Sequence, residues 1–168
     1  SWLVSVQDEL PAVSFVSGSS MAGLGLFGVP LPYSPVTPHF SMILGIGTDL
    51  AEVDRIKRSV DEYGDRFLHR VYTERERHYA MSKKNYAERL AARFAAKEAG
   101  MKAIGTGWRR GVTWKDFEVV NESGGRPTLH LTGVAQQIAA AMGAKRISIS
   151  LTHTVSMAFA VVILEDGK

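Results

Sequence analysis

Two carboxylates and a lysine are spaced so that they could act together on a phosphate group. Glu98 and Lys102 lie four residues apart in an alanine-rich stretch, so a helix would place both on one face, together with Phe94. Asp49 follows an apolar segment that is typical of a buried strand. If that helix packs against that strand, the two carboxylates converge and could share a Mg²⁺ ion with phosphate oxygens and waters. A hard cation beside a lysine is the minimum needed to stabilise charge on a transferring phosphoryl group.

The same residues have simpler interpretations, which the sequence leaves open. Glu98 and Lys102 could form an ordinary surface ion pair, and Asp49 could cap the helix that follows it. His153, at the end of a predicted strand, could bind a phosphate or shuttle a proton, or it could merely bond to backbone. Their chemistry therefore depends on which of them the fold brings together.

Two glycine-containing loops give weaker signals. Gly105 and Gly107 could approach a phosphate through backbone N–H groups, but they could equally end a helix. The GGRP sequence at residues 124–127 favours a hairpin turn. Neither loop has the spacing of a P-loop or of a dinucleotide-binding fingerprint.

The composition limits the classes of protein that remain. The chain has 168 residues, a net charge of +3 and no cysteine, which excludes disulfides and thiolate chemistry. Every lysine and arginine lies after residue 41, so the remainder of the chain is basic and favours an anionic partner: a nucleotide, a nucleic acid or an acidic protein. No apolar run is long enough to predict a membrane-spanning helix.

The chain divides near Met42. Residues 1–41 contain an SGSS stretch and four closely spaced prolines, without helical or strand periodicity, so we expect a poorly ordered extension or a remnant of cloning. Its apolar residues could instead pack on the domain. We expect Met42 to be the natural start, and residues 42–168 to form one domain.

The pattern of residues 42–168 predicts the elements that must position the candidate residues. Strands are predicted near residues 43–49, 117–120, 128–131, 147–151 and 157–164; helices are predicted after Leu50, after Thr73, from Asn85 to about Gly105, and after Thr132. The fold class is therefore α+β, with helices packed on a largely antiparallel sheet.

Three motifs resemble those of one family. In order and spacing, GIGTD at residues 45–49, RFAAKEA at 93–99 and SLTHT at 150–154 are similar to the bacterial holo-acyl-carrier-protein synthases, the short 4′-phosphopantetheinyl transferases. The resemblance extends from Met42 to about Asp166 and includes the loops IGTG at 104–107 and GRP at 125–127. Arg126 stands where lysine is common, which keeps the charge.

The resemblance implies a reaction and a set of roles. Such enzymes use Mg²⁺ to transfer 4′-phosphopantetheine from coenzyme A to a serine of apo acyl carrier protein, for fatty acid biosynthesis. Asp49 and Glu98 would hold the metal, Glu98 could act as the base through a water, and Lys102 would stabilise the attacked phosphate. The coenzyme A site would be lined by Arg93, Lys102, Gly105, Gly107, Pro127, His153 and Thr154. The resemblance also implies a 4′-phosphopantetheinyl transferase fold, a homotrimer with sites between subunits, and a cytoplasmic location.

A basic surface is expected to meet the carrier protein. The matching region of the family contacts the acidic second helix of its carrier, and here it contains Arg55, Arg66, Phe67 and Arg70. Arginines at a rim would steer the encounter, and Phe67 would be an apolar anchor. From the residues alone, the simpler interpretation is that these arginines are exposed to solvent and bind no partner.

Two rival functions remain at this stage. A non-catalytic binder of coenzyme A or of a nucleotide would keep the basic and glycine features without needing both carboxylates. A nucleic-acid-binding module is disfavoured, because acids are interleaved with the basic residues and no stacking platform of aromatics is evident. We therefore expect no nucleic-acid partner and no membrane association.

Overall fold

The structure, a computed structural model, describes residues 41–107 and 109–167. The strands are β1 (Ile43–Glu52), β2 (Phe117–Asn121), β3 (Pro127–Leu131), β4 (Arg146–His153) and β5 (Met157–Glu165). The helices are α1 (Val53–Tyr63), α2 (Asp65–Val71), α3 (Glu74–Met81), α4 (Tyr86–Ala103) and α5 (Gly133–Ala141), with a 3₁₀ turn at Trp114–Asp116. The α+β class is confirmed. The prediction for residues 1–41 lies, apart from Ser41, outside the described residues.

The strands form two antiparallel sheets rather than one. In the larger sheet the order is β1-β5-β4, with β5 central, and β2 and β3 form a separate hairpin. The hairpin turns at residues 122–126, where the Gly125 amide donates to the Glu122 carbonyl at 2.8 Å and Gly125 has a φ of 84°. The turn predicted at GGRP is therefore present.

Helix α4 packs against one face of the larger sheet, and two glycines in β1 permit the close approach. A Cβ on Gly47 would lie 1.9 Å from the carbonyl oxygen of Ala99, and a Cβ on Gly45 would lie 2.2 Å from that of Ala103. The backbones of strand and helix consequently touch at positions where any side chain would separate them. Six of the seven alanines of α4 are buried, so its unusual composition is explained by packing.

The opposite face of the larger sheet is partly open. Along β1 the side chains alternate, so that Gly47 and Ala51 are buried beneath α4, whereas Ile46 and Leu50 are 55% and 61% exposed. Within the described residues, no helix is long and apolar enough to cross a membrane.

Two predicted helix starts differ in detail. Thr73 forms the expected capping box, because its hydroxyl accepts from the Glu76 amide while the Glu76 carboxylate accepts from the Thr73 amide. Asn85 and Thr132 do stand at the N-cap positions of α4 and α5, but neither side chain caps its helix. The Asn85 side chain instead bonds to Glu88 and Arg89.

Candidate active site

Asp49 and Lys102 meet where β1 lies on the last turn of α4. The Lys102 ammonium donates to Asp49 Oδ1 at 2.8 Å and to the carbonyl oxygen of Thr48 at 2.9 Å. Asp49 is not at the strand end, because β1 continues to Glu52, which takes the N-cap position of α1. The alternative of Asp49 as a helix cap is therefore wrong, and Lys102 forms its ion pair with Asp49 rather than with Glu98.

Glu98 lies one turn before Lys102 on α4 and is only partly exposed. Its Oε1 accepts a hydrogen bond of 2.6 Å from the indole Nε1 of Trp114. Burial raises the pKa of Glu98 above its usual range, and the nearby charge of Asp49 raises it further, while Trp114, Lys102 and Arg55 oppose that change. The two carboxylates are therefore close enough to repel each other, on the same side of the molecule.

The donor set fits a hard divalent cation that brings additional ligands from elsewhere. Among residues 41–107 and 109–167, no group of three or more histidine, cysteine or acidic side chains could hold a metal. Asp49 and Glu98 supply two carboxylates, which suits Mg²⁺ because it keeps several waters and takes substrate phosphate oxygens. A cation between them would also neutralise the repulsion between the two carboxylates, which adds to burial in raising the pKa of Glu98.

A buried ion pair anchors the segment that faces Glu98. The Lys97 ammonium and the Glu76 carboxylate are fully buried and 2.7 Å apart. Lys97 also donates to the backbone oxygens of Trp114, at 2.9 Å, and of Phe117. Glu76 in turn accepts from the Val119 amide at 3.0 Å, so the pair joins α3 and α4 to the chain around the 3₁₀ turn.

The residues predicted to line a coenzyme A site fall into separate groups within one chain. Arg93 is buried; it donates to Asn121 Oδ1 at 2.7 Å and lies 4.2 Å over the Tyr79 ring. Asn121 pairs with Pro127 across the hairpin, so the structure brings Arg93 and the GRP loop together. Burial lowers the pKa of Arg93, although Glu76 and Tyr79 favour its charged form.

His153 and Thr154 lie at the turn between β4 and β5. The His153 ring approaches Glu88, on the first turn of α4, with a distance of 3.5 Å between Nε2 and Oε2. The Thr154 hydroxyl accepts from the Met157 amide at 3.1 Å, which closes the turn. Glu88 and Lys102 are separated by 14 positions, or about 21 Å along the helix axis, so His153 contacts the end of α4 opposite to Lys102.

The loop after α4 ends the helix as its glycines predicted. The amide of Gly105 donates to the Lys102 carbonyl at 3.0 Å, and the amide of Gly107 donates to the Met101 carbonyl at 3.3 Å. Both glycines have positive φ, 72° and 53°, where a side chain would be strained. Their N–H groups are thus occupied by the helix end.

The residues predicted to meet a carrier protein line one cavity. It has a volume of about 380 Å³, and its walls include Arg55, Arg66, Phe67 and Arg70. Phe94 and Trp114 also line it, so the same tryptophan borders the cavity and bonds to Glu98. Sequence reasoning missed Trp114, because nothing in its spacing from Glu98, 16 positions along the chain, signals contact.

A second cavity surrounds the Arg93 group and is basic. Its volume is about 310 Å³, and Arg75, His78, Lys83 and Arg93 are among its lining residues, together with Asn121. Cationic and amide side chains around one opening suit a phosphorylated ligand.

Comparison with known proteins gives consistent matches. Residues 45–160 match the model of the 4′-phosphopantetheinyl transferase superfamily. A holo-[acyl-carrier-protein] synthase of Solibacter usitatus (strain Ellin6076) is 60% identical over 125 residues, which cover 74% of this chain and 100% of that protein. A holo-[acyl-carrier-protein] synthase of Koribacter versatilis (strain Ellin345) is 58% identical over the same length and coverage.

Solved structures match the same part of the chain. The holo-(acyl-carrier-protein) synthase from Bacillus anthracis str. Ames, in complex with CoA (3′,5′-ADP), is 37% identical with a TM-score of 0.63, and the match covers 75% of this chain and 99% of that one. The synthase from Neisseria meningitidis has a TM-score of 0.68 at 32% identity, with coverages of 74% and 99%. The expected resemblance is confirmed by both kinds of comparison.

Proposed function

Because the chain belongs to the holo-[acyl-carrier-protein] synthase family of the 4′-phosphopantetheinyl transferase superfamily, we propose that it transfers 4′-phosphopantetheine from coenzyme A to a serine hydroxyl of apo acyl carrier protein. The other product would be adenosine 3′,5′-bisphosphate, and the modified carrier would serve fatty acid biosynthesis in the cytoplasm. The observation that carries this proposal is the contact of Lys102 with Asp49 beside Glu98, which joins one strand and one helix in a single polar site.

Asp49 and Glu98 would hold Mg²⁺ against the pyrophosphate of coenzyme A. When bound, the metal would supply charge neutralisation at the phosphate oxygens. Lys102, whose side chain is 50% exposed, can reach the attacked phosphate and stabilise the charge that builds there. Glu98 would accept the proton of the serine through a water.

The basic cavity near Arg93 supports a site for the anionic adenosine 3′,5′-bisphosphate end of coenzyme A. Arg75, His78 and Lys83 add positive or protonatable groups to Arg93 at that opening. Contacts of Pro127, Gly105 and Gly107 with the remainder of coenzyme A stay a prediction.

The cavity bordered by Trp114 supports docking of an acidic carrier helix. Arg55, Arg66 and Arg70 line it together with Phe67 and Phe94. Arginine and aromatic side chains are the composition expected of a protein-binding hot spot. Because Trp114 both lines this cavity and bonds to Glu98, a carrier bound there would present its serine near the polar site.

A homotrimer would explain the open face of the larger sheet. Ile46 and Leu50 project from that face and are 55% and 61% exposed, so a neighbouring subunit could cover them. Sites between subunits would let His153 and Thr154 of one chain serve the Asp49 site of another, since within one chain His153 contacts the end of α4 opposite to Lys102.

The test is to incubate the protein with apo acyl carrier protein, coenzyme A and Mg²⁺ and to weigh the carrier by mass spectrometry. We expect the carrier to gain one phosphopantetheine, and we expect Glu98→Gln to abolish the gain while the fold is kept. Lys57→Ala is a matched control, because Lys57 forms an exposed pair with Asp61 away from the site. Coenzyme A binding without transfer, under Mg²⁺ or Mn²⁺, would instead support the non-catalytic binder.

A further inference from the structure

Trp114 joins two features that the proposed reaction must bring together. Its indole N–H donates to the Glu98 carboxylate at 2.6 Å. Its ring borders the cavity that Arg55, Arg66, Phe67 and Arg70 line. The indole N–H of Trp114 therefore contacts the carboxylate of Glu98, while the ring of the same side chain lines the cavity.

We propose that Trp114 is a positioning residue that fixes the orientation of Glu98 and ties it to the carrier-docking cavity. The inference rests on the proposed function, for which Glu98 supplies a metal ligand and the base. A glutamate has three rotatable bonds, and a short hydrogen bond from a rigid donor restricts them to one arrangement. Trp114 does not contact the reacting atoms; it acts through Glu98.

Trp114 is itself held rigidly from its backbone and its ring. Its carbonyl oxygen accepts from the buried Lys97 ammonium at 2.9 Å, and Lys97 is paired with the buried Glu76. The ring lies 6.1 Å from that of Phe94, at an angle of 34°, and 5.8 Å from the Arg70 guanidinium. A donor fixed on both sides can impose its geometry on an acceptor side chain.

The docking arrangement follows from the Arg70 and Phe94 contacts. A carrier helix that displaces water from the cavity would contact Arg70 and the Phe94–Trp114 pair. Those contacts would stabilise one position of the indole, and with it the hydrogen bond from its N–H to Glu98. Docking and the orientation of the acid would therefore be linked. A satisfied core tryptophan without such a role would bond to the same oxygen but leave the kinetics unchanged.

The first test compares Trp114→Phe with Trp114→Ala in steady-state transfer kinetics. Phenylalanine keeps an aromatic ring at the cavity and loses the donor, so kcat should fall about tenfold or more, as for a lost hydrogen bond to a charged group, while the KM for the carrier changes less than about twofold. Alanine removes the ring too, so it should also raise that KM. Equal losses in both parameters for the two variants, or an unchanged kcat for Trp114→Phe, would overturn the proposal.

Tyr72→Phe is the matched control. It also removes one hydrogen-bond donor from a buried aromatic ring next to α4, because the Tyr72 hydroxyl donates to the Leu90 carbonyl at 3.1 Å. That bond has no contact with Glu98, so kcat should stay within about twofold of the original. A loss equal to that of Trp114→Phe would show a general packing effect and would overturn the specific role.

The second test does not depend on activity or on the folding of a tryptophan variant. In a ¹H–¹⁵N spectrum the indole N–H of Trp114 should resonate downfield, as expected of a short bond to a carboxylate, and Glu98→Gln should move it upfield. An indole signal that Glu98→Gln leaves in place would overturn the contact. If the original protein transfers nothing yet the signal moves, the proposed function fails while the Trp114–Glu98 contact stands, so the two failures are distinguishable.

Discussion

Gly47→Ala tests the contact that places Asp49 over α4. The added Cβ would lie 1.9 Å from the Ala99 carbonyl oxygen, 2.6 Å from the Ala103 amide nitrogen and 2.9 Å from the Ala99 carbonyl carbon. All three atoms belong to backbone, so no side-chain rotation can relieve the overlap. The strand must move away from the helix, and Asp49, two residues further along β1, must move with it.

The cost follows from the size of that overlap. Overpacking a core costs about 1–3 kcal/mol, and a clash with helix backbone belongs at the upper end, near about 3 kcal/mol. For a domain of this size that loss corresponds to a Tm lower by about 10 °C. A displacement of Asp49 by about 1 Å should also lower transfer about 100-fold, beyond any loss from unfolding at the assay temperature.

The assay is chemical denaturation together with carrier modification, on Gly47→Ala and on Gly124→Ala as control. A Cβ on Gly124 meets nothing within 4 Å, so that variant should keep its stability within about 1 kcal/mol. Equal stability of Gly47→Ala and Gly124→Ala would show that the Cβ overlap has no cost. Full activity in a destabilised Gly47→Ala would show that the position of Asp49 does not depend on the strand–helix contact.

Three further outcomes are expected. Burial and Asp49 raise the pKa of Glu98, so the folded chain holds that proton more tightly than the unfolded chain, and stability falls as pH rises from the usual glutamate range through the raised pKa. Without divalent cations, Glu98→Gln should therefore be more stable than the original protein at pH 7 but not at pH 3.5, and an equal gain at both pH values in urea unfolding would contradict this. Lys97→Met leaves the Glu76 carboxylate buried without its partner, so it should cost about 3–5 kcal/mol, and adding Glu76→Gln should recover part of the loss in the same unfolding measurement. Leu50→Glu places a charge on the open sheet face and should convert the proposed trimer to monomer in size-exclusion chromatography with light scattering, whereas an unchanged mass would count against that face as the interface.

Local patterns in the sequence determined most of the elements. The alternation of β4, the capping box at Thr73 and the alanine-rich run of α4 each depend on near neighbours in the chain, so their signals survive without tertiary information. Strand β1 was predicted as a buried strand, and this is wrong for one of its faces, because Ile46 and Leu50 are exposed. Helix α2 was missed as a separate element, because it is only seven residues long and its start at Gly64 resembles the end of α1. The two sheets were predicted as one, since periodicity identifies strands and not their partners.

The sequence also identified the candidate site residues, but it did not identify their partners. It predicted Asp49, Glu98 and Lys102 as residues that could act on a phosphate group, and it allowed Lys102 to pair with Glu98 on the same helix. The close approach of Gly47 to the α4 backbone brings Asp49 to Lys102. The Lys97–Glu76 pair, together with Phe94 and Arg70, holds Trp114 beside Glu98. Periodicity and motif reach across a few residues, whereas pairs separated by 16 to 53 positions are set by how whole elements pack, and packing alone decides which side chains share a site.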